Sequence, residues 1–155
     1  MNKFILAASI IVFLGITGTL SADENTSKSV QFLNSEEAST FNFPFSEAVR
    51  VGNLIFLSGQ IGYDYNTGKL VPGGITEEAN QTMTNIKNTL TNHGYSMSNI
   101  VKCTVMIANI TEWQKFNDVY VKYFSKPYPA RSAFGANGLA FNAKVEVECV
   151  AVVSA

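Results

Sequence analysis

The alternation of apolar and polar residues predicts short β-strands in the first part of the chain that follows Ser29. We predict strands at Val30–Leu33, Glu47–Val51 and Leu54–Gly59. The last two are separated by Gly52-Asn53, a pair that accepts positive φ and favours a hairpin. Because LIFLSG is continuously apolar, we expect it to form a central strand that is buried on both faces.

A change in the spacing of apolar residues predicts two amphipathic helices. From Ile75 to His93, apolar residues recur at three- and four-residue steps, and Gly94 stands just past the predicted end. A second helix is predicted to begin with a capping box at Thr111–Gln114 and to run to about Phe124. Its aromatic face is interpreted as part of the core rather than as a ligand platform.

Three further strands complete the predicted fold. They lie at Ile100–Ile107, Arg131–Ala136 and Lys144–Val153. The order strands, helix, strand, helix, strands is typical of an α+β domain in which two helices cover one face of a mixed sheet. The late strands carry a mixture of apolar and polar residues on both sides, so we predict that copies of the chain associate through the uncovered face.

The N-terminal segment differs from the rest of the chain. Lys3 precedes an uncharged apolar run that extends to about Leu20, which is typical of a secretory signal peptide. An uncleaved membrane anchor is the alternative, since the run is close to the minimum spanning length. We predict a periplasmic or secreted protein without membrane contact after cleavage. The predicted divisions are a signal peptide at 1–22, an extension with the first strand at 23–40, and the main domain at 41–155.

Composition narrows the class of protein. The chain has 155 residues and is 46% hydrophobic, which suits a single domain with one core. Lysine and arginine number 11 against 12 aspartate and glutamate, and no run of basic residues occurs. This balance argues against nucleic acid as a partner.

The two cysteines, Cys103 and Cys149, both fall in predicted strands. Their spacing matches neither a zinc site nor a disulfide framework. We interpret them as buried thiols. A bridge remains the alternative if the two strands are neighbours in an oxidising compartment.

Candidate chemistry concentrates near the C-terminus. Arg131 stands in PYPARSAF, between prolines and a strand, and its guanidinium matches a carboxylate or phosphate. Glu146 and Glu148 are two apart, so both point to one face of the last strand. The alternatives are a solvated arginine and a half-exposed edge strand. Together, however, these residues suggest a general acid/base beside a carboxylate anchor.

Longer motifs resemble one family. The stretches FPFSEAVRVGNLIFLSGQIG, VKCTVMIANITEWQKFNDVYVKYF, YPARSAF and KVEVECVAV follow the RidA family of YjgF-type reactive-intermediate deaminases from about Phe41 to the C-terminus. This resemblance implies a chorismate-mutase-like fold and a homotrimer whose open sheet faces form a central barrel, with sites in clefts between subunits. It further implies hydrolysis of imines and enamines of 2-amino acids to 2-oxo acids and ammonia, without metal or cofactor.

The resemblance also assigns roles to individual residues. Arg131 would hold the substrate carboxylate and Glu146 would position or activate the attacking water. Ser58 and Asn117 match two further cleft residues, and the backbone around Ala133 would line the pocket. Phe45 stands where the family commonly has a tyrosine, so a cleft hydroxyl is missing.

These departures leave other functions open. The predicted export separates the protein from the cytoplasmic enzymes that generate the familiar substrates, and Phe45 removes a donor. The main alternative is a trimeric binder of small carboxylates without efficient turnover. Ribonuclease or chaperone-like activity ranks third, because the acidic charge and the single histidine argue against RNA cleavage.

Overall fold

The computed structural model describes residues 29–153. The predicted signal peptide, and most of the predicted extension ahead of the first strand, lie outside the described residues. The strands are β1 Val30–Leu33, β2 Ala48–Val51, β3 Leu54–Leu57, β4 Gln60–Ile61, β5 Tyr63–Asp64, β6 Lys69–Leu70, β7 Ile100–Ile107, β8 Ala130–Gly135 and β9 Val145–Val152. The α-helices are α1 Glu36–Thr40, α2 Ile75–Asn92 and α3 Trp113–Tyr120.

Seven strands form one mixed sheet in the order β1-β2-β3-β9-β7-β8, and β4 pairs with β9 beside β3. All pairs are antiparallel except β7 with β8, which is parallel. A parallel pair needs a crossover connection, and α3 lies within it. The predicted α+β fold with a mixed sheet is confirmed.

The core lies between the sheet and the helices α2 and α3. Alternate residues of β9 are buried against the helices, while Glu146 and Glu148 point to the open face, as the period of two predicts. The largest fully buried side chains are Phe116, Ile55, Met83, Ile86 and Leu90. None of the helices in residues 29–153 is both long and apolar enough to span a membrane.

The two cysteines are directly opposite each other. Cys103 of β7 pairs with Cys149 of β9, their Cα atoms are 4.1 Å apart, and a disulfide joins them. The interpretation of both as free thiols was therefore wrong. The sequence could not reveal the bridge, because the pairing of β7 with β9 depends on the order of strands in the sheet.

Two other expectations need correction. The strand β3 is buried on the helix side only, because Phe56 is 46% exposed on the open face. The predicted capping box at Thr111 is absent. A short 3-10 turn, Ile110–Glu112, precedes α3, and the side chain of Asn109 accepts a hydrogen bond from the Thr111 amide. The helix α1 was not predicted, although Ser35 caps it by accepting from the Ala38 amide.

Candidate active site

A cavity of about 390 Å³ lies beside the start of β9. Its polar lining comes from Ser58, Gln60 and Glu146, and Phe45 stands at its edge, 54% exposed. Three of the predicted site residues, Phe45, Ser58 and Glu146, are thus brought together. The segment Ser58–Gly59 connects β3 to β4. Because β4 pairs with β9, this segment lies beside the strand that carries Glu146.

Glu146 is half-buried and faces the cavity from β9. Burial and, to a smaller extent, the negative charge of Glu148 raise the pKa of its carboxyl group. Gly59 makes this position available, since a Cβ on that residue would overlap Glu146 Oε1. A carboxylate with a raised pKa is better matched to accepting and returning protons near neutral pH.

Ser58 is held by two hydrogen bonds to the loop before β2. Its Oγ donates to the carbonyl oxygen of Ser46 at 2.6 Å, and its amide donates to the carbonyl oxygen of Glu47 at 3.0 Å. The hydroxyl proton is therefore already used. The lone pairs of Oγ remain as acceptors for a ligand N–H in the cavity.

Arg131 lies elsewhere, on the edge strand β8. Its guanidinium carbon is 4.6 Å from the ring centroid of Tyr120, 5.8 Å from that of Trp113 and 5.9 Å from that of Phe116. Stacking of this kind holds the planar group in place and leaves its N–H donors free for an anion. Within residues 29–153, Arg131 forms no ion pair.

The remaining predicted residues belong to the same edge of the molecule as Arg131. Asn117 is on α3, next to Phe116, and its Oδ1 is buried without a hydrogen-bond partner among the described residues. Ala133 follows Arg131 by two positions on β8, so the two side chains point to one side. An unpaired buried amide oxygen is costly unless a ligand or partner satisfies it.

Arg131 and Glu146 do not meet within one chain. The register links Arg131 to Cys103 in β7, and Cys103 to Cys149 in β9. Paired residues of neighbouring strands point to the same face, so Arg131 lies on the helix side with buried Cys149. Glu146, three residues from Cys149, points to the opposite face.

The structure also adds residues that the motifs did not indicate. Tyr63, Tyr65 and Phe141 line the cavity, and Gln60 is buried in it. Phe141 has φ 56°, a left-handed conformation that is rare for a bulky residue. Only the aromatic content of GYDYN could have indicated the two tyrosines, because the strand β5 that holds Tyr63 has only two residues and Tyr65 lies in the turn after it.

No group of three or more histidine, cysteine, aspartate or glutamate side chains in residues 29–153 could hold a metal ion. The chemistry available is that of one carboxylate, hydroxyl and amide groups, and a separate guanidinium.

Comparison with known proteins gives consistent matches. The family model described as "Endoribonuclease L-PSP" matches residues 35–153. The chain is 45% identical over 109 residues to the 2-iminobutanoate/2-iminopropanoate deaminase of Bos taurus, covering 70% of this chain and 80% of that protein. It is 36% identical over 123 residues to the chloroplastic Reactive Intermediate Deaminase A of Arabidopsis thaliana, covering 79% of this chain and 66% of that protein.

Solved structures agree with these matches. Yeast Mmf1 superposes with a TM-score of 0.73 and 35% identity, covering 81% of this chain and all of that chain. The YjgF gene product of E. coli gives a TM-score of 0.73 at 30% identity, covering 80% and 99% of the two chains. The chain therefore belongs to the endoribonuclease L-PSP family, the YjgF/RidA family that its motifs resemble.

Proposed function

We propose that this protein hydrolyses 2-imino and enamine acids to 2-oxo acids and ammonia in clefts between the subunits of a homotrimer. The observation that carries the proposal is the placement of Arg131 and Glu146 on opposite faces of one sheet. Each chain then holds two incomplete halves of a site. The names of the deaminases to which the chain is similar support the reaction class.

In this proposal, each cleft combines two subunits. One supplies the cavity with Glu146, Ser58 and Phe45, and its neighbour supplies the edge with Arg131, Asn117 and Ala133. The open face offers a surface for this association, since Phe56 and Phe134 are 46% and 49% exposed there. Burying such rings against a second copy removes apolar surface from water.

Arg131 suits the substrate carboxylate. A guanidinium binds a carboxylate through two parallel N–H···O bonds, and it stays charged at every working pH. Stacking on Tyr120 already holds the guanidinium group of Arg131 in one orientation, so little side-chain freedom is lost when substrate binds. The unpaired Oδ1 of Asn117 offers an acceptor for an N–H of the ligand or of the partner chain.

The reaction requires little more than placement of water, because the carbon of a protonated imine is already electrophilic. Glu146 accepts a proton as the water oxygen bonds to that carbon and the C=N electron pair moves to nitrogen. Glu146 then returns the proton to the amino group, which leaves as ammonia. The hydroxyl oxygen forms the carbonyl of the 2-oxo acid and releases its proton to ammonia. Ser58 Oγ accepts an imine N–H throughout.

Export to an oxidising compartment is part of the proposal. Two independent features support it: the apolar segment at 1–22 and the disulfide between Cys103 and Cys149. Disulfides persist in the periplasm and outside the cell but are rare in the cytosol. Cell fractionation combined with N-terminal sequencing of the mature chain tests both export and cleavage. A full-length protein in the cytosol would overturn this part.

One observation favours a second function. Phe45 brings an aromatic ring without a hydroxyl to the edge of the cavity, so one donor to substrate or water is absent. A trimer that binds small carboxylates through Arg131 without efficient turnover would fit that loss.

Ammonia release from freshly generated 2-iminopropanoate separates the two functions. We expect acceleration by the mature wild-type protein, lost in Arg131→Ala and in Glu146→Gln. Arg131→Lys keeps the positive charge but loses the two parallel N–H donors of the guanidinium group, so we expect it to retain only part of the activity. Binding of pyruvate that depends on Arg131, without any acceleration of imine hydrolysis, would instead identify the protein as a binder.

A further inference from the structure

The aromatic side chains around the cavity form a continuous wall. Phe41 stacks on Phe43 with ring centroids 5.6 Å apart, and Phe43 stacks on Phe45 at 5.2 Å, with interplanar angles of 9° and 6°. Three alternate residues of one segment thus present a ladder of nearly parallel rings. Of these, Phe43 and Phe45 line the cavity directly.

A second set of rings, Tyr63, Tyr65 and Phe141, also lines the cavity. Tyr63 lies 5.4 Å from Tyr65 and 5.8 Å from Phe141, measured between ring centroids. Phe41 contacts both tyrosines edge-on, at 6.4 Å and 5.3 Å, and so joins the two sets. The hydroxyl of Tyr65 donates to Gln60 Oε1 at 3.3 Å, which fixes that ring.

Core packing does not account for these rings. None of the six belongs to the buried cluster between the sheet and the helices. Phe45 is 54% exposed and Phe141 is 69% exposed, although both are large apolar side chains. They enclose an open cavity instead of filling it, which is how aromatic side chains are arranged in small-molecule sites.

The position of Glu146 orients a substrate with respect to this wall. In the proposed reaction, water placed by Glu146 attacks the imine carbon, so that carbon must lie close to the carboxylate. The substrate carboxylate points away, toward Arg131 of the neighbouring subunit. The third substituent of the imine carbon, the amino-acid side chain, then extends into the aromatic cavity.

We propose that this cavity selects imino acids with an aromatic side chain over those with a methyl or ethyl group. The inference rests on the proposed deaminase function and deepens it. A benzyl group can make stacked or edge-to-face contacts with the rings of this ladder. These contacts stabilise the bound substrate beyond the burial of its apolar surface. A methyl group leaves most of the cavity of about 390 Å³ to water.

The test uses imino acids generated in place by an amino-acid oxidase from alanine, 2-aminobutyrate, leucine and phenylalanine. One methylene in an apolar pocket changes kcat/KM by about 10- to 200-fold, so we expect at least about a 10-fold preference for the phenylalanine-derived imine over the alanine-derived one. Phe43→Leu should reduce that ratio, because kcat/KM falls more for the phenylalanine-derived imine than for the alanine-derived one. Phe32→Leu is the matched control, because Phe32 lies on the edge strand β1 and outside the cavity.

Calorimetric binding of the products separates failure of the inference from failure of the proposed function. Tighter binding of phenylpyruvate than of pyruvate, lost in Phe43→Leu, supports the aromatic selectivity even if no imine is hydrolysed. In that case only the deaminase proposal falls. Equal binding of both acids, or turnover of both imines at equal kcat/KM, would overturn the selectivity while leaving the deaminase intact.

Discussion

Gly59 lies so close to Glu146 that a Cβ on the glycine would overlap with Glu146 Oε1. The glycine follows Ser58, and both residues line the cavity. Its backbone does not adopt a left-handed conformation, so any residue could take the same φ. Space for the carboxylate, rather than chain flexibility, is therefore what the glycine provides.

Gly59→Ala should displace the Glu146 carboxylate and lower kcat by about 100-fold, because a shift of about 1 Å in a reacting group costs a factor of that order. Imine hydrolysis under saturating substrate measures the effect. The effect should vanish when Gly59→Ala is added to Glu146→Gln, since both changes remove the same function. A further loss in the double variant would show that Gly59 acts on something other than Glu146.

Glu146→Gln should stabilise the folded protein at neutral pH while it removes activity. The pKa of Glu146 is raised by burial and by Glu148, so the folded state binds this proton more tightly than the unfolded state does. Stability of the wild type therefore falls as pH rises from the unfolded-state pKa of about 4.3 through the higher folded-state pKa. Glutamine does not titrate and avoids this loss.

Denaturant unfolding at pH 4, 6 and 8 measures the difference. We expect Glu146→Gln to exceed the wild type in free energy of unfolding at pH 8, with the difference narrowing toward pH 4. Glu36→Gln, on the first turn of α1, controls for the loss of one exposed surface charge. If Glu146→Gln were less stable than the wild type at pH 8, the claim that the ionised Glu146 destabilises the folded protein would be wrong.

Local patterns explain how much of the molecule could be predicted from its sequence. The period of two gave β7 and β1 with their observed bounds, and the helical spacing gave α2 to within one residue of its observed end. Strand neighbours are not a local property, so the Cys103–Cys149 bridge could be stated only as the alternative to buried thiols. The same holds for the site: Arg131 and Glu146 were named, but the cavity residues Gln60, Tyr63, Tyr65 and Phe141 were not. The separation of Arg131 from Glu146 follows from the parallel pairing of β8 with β7.

Phe45→Tyr should raise kcat/KM for imine hydrolysis, because it adds a donor at the edge of the cavity. A hydrogen bond to substrate or water is worth about 1 kcal/mol, which corresponds to roughly a fivefold change. The ring stays in place, since the stacking with Phe43 at 5.2 Å does not involve the new hydroxyl. Phe141→Tyr adds the same group at another exposed ring and serves as the control. An unchanged or lower kcat/KM in Phe45→Tyr would show that this position needs no donor.

Mixed subunits give the most direct test of a shared site. Arg131→Ala and Glu146→Gln are each expected to be inactive alone, because every cleft lacks one of the two groups. If the two variants are unfolded and refolded together, an active cleft forms wherever Glu146 of one chain meets Arg131 of the other. Random assembly of equal amounts should make about a quarter of the clefts complete, and ammonia release should recover to a similar fraction.

The recovered activity should depend on assembly. Native mass spectrometry of the refolded mixture shows whether the two variants share trimers, and mixing without unfolding is the control. Mixed trimers without activity above the sum of the separate variants would place both groups in a site within one chain. That outcome would conflict with the register, which carries Arg131 and Glu146 to opposite faces of the sheet. Recovery would mean that the catalytic carboxylate and the carboxylate anchor meet only after the chain finds a second copy.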